Sequence, residues 1–254
     1  MSSPAISHHP SAFSDIHLGI VCPMANEEAS VVRFVNLVLA ECAPAKFRSV
    51  TFFASVDDAS TDRTRELLNM LKEQTPQLQI VCSPSNRTVV DAYLRGYEAA
   101  LNAGCDWILE IDAGFSHQPS EIPRFFEKMR AGYDCVFGSR FCAGGAVADN
   151  TLARKIVSHG GSVLANLVLG TTLKDMTSGF EMFTHEALRT VLERGIKSRG
   201  PFFQTEIKAY CRNMNIVEIP IHYRVDGTNI NRRTLHDSFL NLGRLFTVRL
   251  RGKL

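Results

Sequence analysis

"WILEIDAGFSHQP", Trp107 to Pro119, runs an apolar segment straight into a carboxylate and then into a turn of small residues. A short, continuously apolar run bounded by a turn reads as a strand buried on both faces, and such strands belong to parallel sheets. Asp112 would then stand at the carboxyl end of its strand, where open α/β sheets bind their ligands.

The same rhythm extends in both directions. "HLGIVCPM" (17–24), "VTFFASVDD" (50–58), "LQIVCSP" (78–84) and "YDCVFGSRF" (133–141) read as further strands. Between them, "EEASVVRFVNLVLAECA", "STDRTRELLNMLKEQ", "TVVDAYLRGYEAALNAG" and "SEIPRFFEKMRAG" carry helical spacing, with Ser60 or Thr61 as an N-cap and Gly104 as a stop. Strands alternating with helices imply an α/β domain, a Rossmann-like, mostly parallel central sheet with helices on both faces. After Phe141 the rhythm changes. A Gly-rich loop, "CAGGAVADN", precedes a helix over about 151–169; helices from His185 and around "FFQTEIKAYCRNM" follow, then a strand in "IVEIPIHYRV". Residues 1–15 read as a disordered leader, 16–230 as the domain, and 231–254 as a basic amphipathic helix with Leu235, Phe239, Leu242 and Phe246 on one face.

The formal charge of +2 over 254 residues selects no partner class. Its distribution does more: His222 to Leu254 holds seven basic residues against two acidic ones. That tail suits an anionic partner, such as a membrane surface, or a helix docked on its own core with solvated arginines. Seven cysteines without a CxxC pair fit a reduced, cytoplasmic setting, with Cys22, Cys82 and Cys135 as small buried hydrophobes. No segment reaches the roughly 18 apolar residues that span a bilayer. No HExxH or Cys/His spacing suggests zinc, and no GxGxxG follows the first strand. Nothing points to a nucleic-acid partner.

Two acidic motifs end neighbouring strands, "VDD" at 56–58 and "EID" at 110–112. Strand-end carboxylates followed by tight turns suit a divalent metal or a nucleotide, and they also occur as helix caps on a solvated edge. Along a regular strand Asp57 and Asp58 point to opposite faces, so one would meet a base or ribose and the other would turn inward.

Taken together, "PMANEEASV" (23–31), "VDDASTDRT" (56–64), "EIDAGFSHQPSEIP" (110–123), "VFGSRF" (136–141), "RKIVSHGGSVLAN" (154–166), "DMTSGFEMF" (175–183), "FQTEIKAY" (203–210) and "EIPIHYR" (218–224) resemble the family 2 glycosyltransferases of GT-A fold. The resemblance is nearest to the dolichol-phosphate mannosyltransferase and polyprenyl-phosphate sugar transferase branch. It implies transfer of a hexose from a GDP- or UDP-sugar to a polyprenyl phosphate, with inversion and with Mg2+ or Mn2+. It places Pro23, Asn26 and Glu27 at the nucleotide, Asp57 and Asp58 at base and ribose, Asp112 at the metal, Arg140 at a phosphate, and Gln204 and Glu206 on the acceptor side.

Two positions depart from the family pattern. Asp112-Ala113-Gly114 stands where the family carries Asp-Ala-Asp, and Ser158-His159-Gly160 where the branch often has Ser-Arg-Gly. Without the second aspartate the metal would be weakly bound, or dispensable if Arg140 and other cations neutralise the leaving diphosphate. Ser116 or His117 could add a metal oxygen or an outer hydrogen bond, and Glu110 shares a strand face with Asp112 by period two, either to replace the lost carboxylate or to pair within the core. His159 would be a phosphate contact or a structural histidine, and Arg232 and Arg233 would grip an acceptor phosphate. A lipid phosphate is already ionised and attacks without a base. A hydroxyl acceptor would need one, with Glu206 or Asp175 as candidates. A hydroxyl-acceptor transferase and a non-catalytic nucleotide-sugar-binding relative therefore stand beside the lipid-phosphate reading.

Overall fold

The computed structural model describes residues 13–58, 60–82, 88–148, 152–224 and 232–254, and of residues 152–156 and 232–233 the backbone alone. Its strands are β1 (His17–Met24), β2 (Ser49–Val56), β3 (Leu78–Cys82), β4 (Trp107–Glu110), β5 (Cys135–Ser139), β6 (Ala146–Ala148), β7 (Glu181–Thr184), β8 (Ile216–Pro220) and β9 (His222–Arg224). Its helices are α1 (Val31–Cys42), α2 (Thr64–Lys72), α3 (Val89–Asn102), α4 (Ile122–Met129), α5 (Leu152–Leu169), α6 (His185–Arg194), α7 (Phe203–Tyr210) and α8 (Arg232–Leu250).

Seven strands form one sheet in the order β3-β2-β1-β4-β7-β5-β8, and β6 pairs with β9 apart from it. The β3-β2-β1-β4 half is parallel throughout, while β7 runs antiparallel to both β4 and β5. From β1 the chain first adds strands on one side and then crosses to β4 on the other, which opens a crevice at the carboxyl ends of β1 and β4.

Burial on both faces explains the apolar runs. Leu18, Ile20 and Cys22 of β1 pack with Phe34 of α1 and Phe125 of α4, while Val21 points the other way, towards Tyr93 and Tyr97 of α3. Helix α3 lies unusually close to the sheet. A Cβ at Gly96 would come 2.4 Å from Val21 Cγ1, so only glycine allows this approach.

Some sequence expectations need correction. Helix α1 begins at Val31, and α2 at Thr64 rather than after Ser60 or Thr61, because the intervening residues tie two loops together. Residues 1–12 lie outside the described residues; Phe13, which the sequence reading puts in the leader, is buried and stacks on Phe47 at 4.9 Å. Cys82 is exposed at the end of the edge strand β3, whereas Cys22 and Cys135 are buried. Strand β7 was not anticipated, since its four residues begin with a glutamate that the sheet buries.

Helix α8 docks through Leu242 and Leu245, but Phe239 and Phe246 face outward, so the anticipated single stripe is divided. Arg249 caps the end of α5 by donating to the carbonyls of Leu167 and Val168. Among the described residues no helix is long and apolar enough to cross a membrane.

Candidate active site

A cavity of about 210 Å³ opens at the crevice between β1 and β4, lined among others by Pro23, Glu27, Asp57, Val89, Asp112 and Ala113. Three carboxylates from three segments share its wall. The loop bearing Glu27 is fastened to the loop before α2. Asn26 Oδ1 accepts from Thr61 N–H at 2.9 Å, Glu27 N–H donates to Thr64 Oγ1 at 2.7 Å, and Glu28 N–H donates to Asp62 at 2.9 Å. Asn26 adopts a left-handed backbone, φ 59°, and its amide acts as this staple. Asp57 is nearly buried in the cavity wall, while Asp58 turns to the surface and pairs with Arg65 at 3.2 Å. The acidic pair thus divides between ligand side and solvent side.

Asp112 is held from two directions. Tyr93 of α3 donates its hydroxyl to Asp112 Oδ1, and the backbone N–H of Asp112 donates to His117 Nδ1 at 3.2 Å. One turn further along α3, Tyr97 donates to Glu110. The match is geometric. Four residues of helix advance about 6 Å and two residues of strand about 6.6 Å, so tyrosines at i and i+4 of the helix meet carboxylates at j+2 and j of the strand, which runs the opposite way. Burial first, then the negative field of Asp112 and of Glu110 respectively, pushes both tyrosine hydroxyls well above their ordinary range, so they remain donors.

His117 is not open to a metal. Its ring is buried, stacks on Phe180 at 4.9 Å and uses Nδ1 on the backbone of Asp112. Burial depresses its pKa to about 4, leaving a neutral ring that orients the Asp112 turn. Ser116 ties the same turn to β9, its carbonyl accepting from Arg224 N–H at 2.9 Å.

Glu110 does not reach the cavity either. It is wholly buried between Tyr97 and Gln204 and faces Glu181 across the β4–β7 pair. Burial, then the charge of Glu181, raises its pKa well above the ordinary value. Gln204, expected on the acceptor side, is spent on this contact and is itself buried. Glu181 pairs with Lys208, whose ammonium also donates to the Ser178 carbonyl.

Arg140 is clamped by Asp175, with Nε to Oδ2 at 2.7 Å and Nη2 to Oδ1 at 2.8 Å, and donates to Thr177 Oγ1 at 2.6 Å. Burial would raise the Asp175 pKa, but the Arg140 bonds outweigh it and hold the carboxyl at about 2. Arg140 remains a cation beside Phe141 and Tyr223, its charge already matched. His159, exposed on α5, meets Phe141 edge-on at 5.2 Å and so borders the Arg140 neighbourhood.

Glu206, read as a catalytic carboxylate, is buried. Ser198, the Lys197 amide, Tyr210 and Arg244 of α8 (2.8 Å) occupy its oxygens. The side chains of Arg232 and Arg233 lie outside the described residues. Tyr93, Tyr97, Glu181 and Lys208 were missed in the sequence, where the Tyr-x-x-x-Tyr spacing ahead of a Glu-x-Asp strand end was the available signal.

Residues 19–192 match the family described as "Glycosyl transferase family 2". The chain is 32% identical over 170 residues to an undecaprenyl-phosphate mannosyltransferase of Micrococcus luteus, covering 66% of this chain and 70% of that protein. It is 27% identical over 222 residues to a polyprenol monophosphomannose synthase of Mycolicibacterium smegmatis, covering 83% and 82%. Among solved structures, glucosyl-3-phosphoglycerate synthase of Mycobacterium tuberculosis, in complex with Mn2+, UDP and phosphoglyceric acid, superposes with a TM-score of 0.65 at 16% identity, over 93% of this chain and 79% of that one. The same enzyme with Mg2+ and UDP gives 0.64 over 98% and 84%. The fold is GT-A, and the chain belongs to glycosyl transferase family 2: it is a glycosyltransferase.

Proposed function

We propose that this enzyme transfers a hexose, with inversion, from a GDP- or UDP-sugar to a polyprenyl phosphate at a membrane surface, using Mg2+ or Mn2+. The names of the two curated relatives support the acceptor class. The observation that carries it is the state of the two carboxylates named in the sequence as candidate bases. Asp175 is locked to Arg140 with its pKa at about 2, and Glu206 is held low because its hydrogen bonds from Ser198 outweigh burial. Carboxylates stabilised as anions in this way are weak bases, which suits an acceptor that is already ionised.

The residues present fit a divalent cation. Glu27, Asp57 and Asp112 offer only oxygen donors, the preference of Mg2+ and Mn2+. An anionic diphosphate entering that wall needs a cation between. Among the described residues no three His, Cys, Asp or Glu side chains form a metal cluster unaided, so substrate and water oxygens would complete the shell. Asp112 would hold the ion, which when bound neutralises charge developing on the leaving diphosphate. Tyr93 and His117 fix the Asp112 carboxylate and turn, Asp57 takes the nucleoside, and the Arg140–Asp175 pair shapes the phosphate side.

The test is transfer from GDP- and UDP-hexoses to a short-chain polyprenyl phosphate, with Mn2+, Mg2+ or EDTA. Labelled lipid should form with metal, and Asp112→Asn should lower the rate at least about 100-fold while the fold persists. Labelling of a hydroxyl acceptor alone, or nucleotide binding with no turnover, would overturn the proposal.

A further inference from the structure

Gly114 has a left-handed backbone, φ 75°, and Phe115 follows at 65°. A Cβ built on Gly114 would stand 3.1 Å from Oε1 and 3.2 Å from Oε2 of Glu27. The space into which a side chain at 114 would grow is therefore already filled by a carboxylate from the β1–α1 loop.

That carboxylate is positioned deliberately by its surroundings. Its backbone is anchored to the buried Thr64, and Ser30 Oγ donates to Glu27 Oε2 at 2.6 Å, fixing the headgroup. Asp112, two residues before Gly114, lines the same cavity as Glu27.

We propose that Glu27 is the second carboxylate ligand of the divalent cation, reaching across from the β1–α1 loop into the place that Gly114 leaves open beside Asp112. This rests on the reading that the cavity takes a nucleoside diphosphate together with Mg2+ or Mn2+. Residue 114 and residue 27 are then alternatives. A carboxylate can come from one position or the other, and a side chain at both would crowd like charges into one space. The long Glu27 side chain, braced by Ser30, does for this chain what a short side chain on the turn would do, and it makes glycine at 114 a requirement.

The experiment is Mn2+ titration of the full chain in the presence of GDP or UDP, with free Mn2+ followed by electron paramagnetic resonance and folding followed by circular dichroism. Glu27→Gln should weaken Mn2+ binding at least about tenfold. Gly114→Asp alone should bring no gain, and Glu27→Ala combined with Gly114→Asp should recover most of the loss. Asp tolerates the left-handed region better than most residues, so the double variant is a fair test. Binding of guanosine and uridine, which lack phosphate, should stay at the parent level in Glu27→Gln.

Parent-like Mn2+ affinity in Glu27→Gln would overturn the inference. So would a loss of nucleoside binding that Gly114→Asp does not restore, since Glu27 would then be a ribose contact. A parent chain that binds Mn2+ and nucleotide, shows the exchange, and yet labels no lipid would leave the inference standing while the acceptor assignment fails. A parent that binds neither would sink both.

Discussion

A buried cation survives only beside a partner that outweighs its desolvation, and Arg140 with Asp175 is the clearest case in this chain. The pair has two short, parallel hydrogen bonds and an Asp175 carboxylate with no exposure. Replacing Asp175 by Asn leaves Arg140 buried without its counter-charge, and unfolding in urea at pH 7 should show a loss of about 3 kcal/mol or more. The pH dependence follows from the sign of the shift. The folded carboxyl titrates at about 2 against an ordinary 3.8, so its contribution is complete above 3.8 and disappears as pH falls towards 2. By linkage that part is worth on the order of 2 kcal/mol. The stability gap between parent and Asp175→Asn should therefore narrow as pH drops from 5 to 2.5. A gap that stays constant would mean that Asp175 acts by shape rather than charge.

At the scale of elements, the site is made by one helix and one strand in matched register. Tyr93 and Tyr97 of α3 address Asp112 and Glu110 at the end of β4, and the two hydroxyls have different work. Tyr93→Phe frees a partly exposed carboxylate at the cavity, so kcat should fall about tenfold, about 1.4 kcal/mol of barrier, with little change in melting temperature. Tyr97→Phe leaves a buried carboxyl short of a partner, and should cost about 1–3 kcal/mol of stability instead. Equal effects of the two on activity and stability would contradict the division.

Much of this was legible in the sequence, and what was not has physical reasons. The parallel half is written in continuous apolar runs, so β1 to β4 read directly, and Asp112 and Asp57 stand where the strand ends put them. Strand β7 escaped because its stabilisation is non-local: Glu181 is acceptable in a core only because Lys208 comes from α7 to meet it. The contacts of Glu206 and Gln204 were hidden for the same reason, since a polar residue on a helix signals a site until its buried partners are known.

At the scale of the whole molecule, α8 and the end of α5 carry exposed apolar side chains that the packing of the described residues does not use. Phe239, Phe246 and Leu250 lie along α8 at spacings of seven and four residues, on nearly one line, and Leu240 beside them is 62% exposed. Leu167 of α5, whose end Arg249 of α8 caps, is 74% exposed, and Arg251 and Lys253 stand exposed at the tip. Apolar side chains flanked by cations match the interface of an anionic bilayer. The inward face, Leu242 and Leu245, holds the helix to the domain, so the outward residues can change without unfolding it. Replacing Phe239, Phe246 and Leu250 together by Ser should leave melting and Mn2+-dependent nucleotide binding near parent values. The same variant should co-sediment far less with phosphatidylglycerol vesicles, and raised salt should weaken the parent's binding. Activity on a polyprenyl phosphate embedded in those vesicles should fall with the sedimentation, whereas activity on a short-chain acceptor in detergent should not. A variant that sediments like the parent would remove α8 from the membrane contact and leave the helix as packing alone.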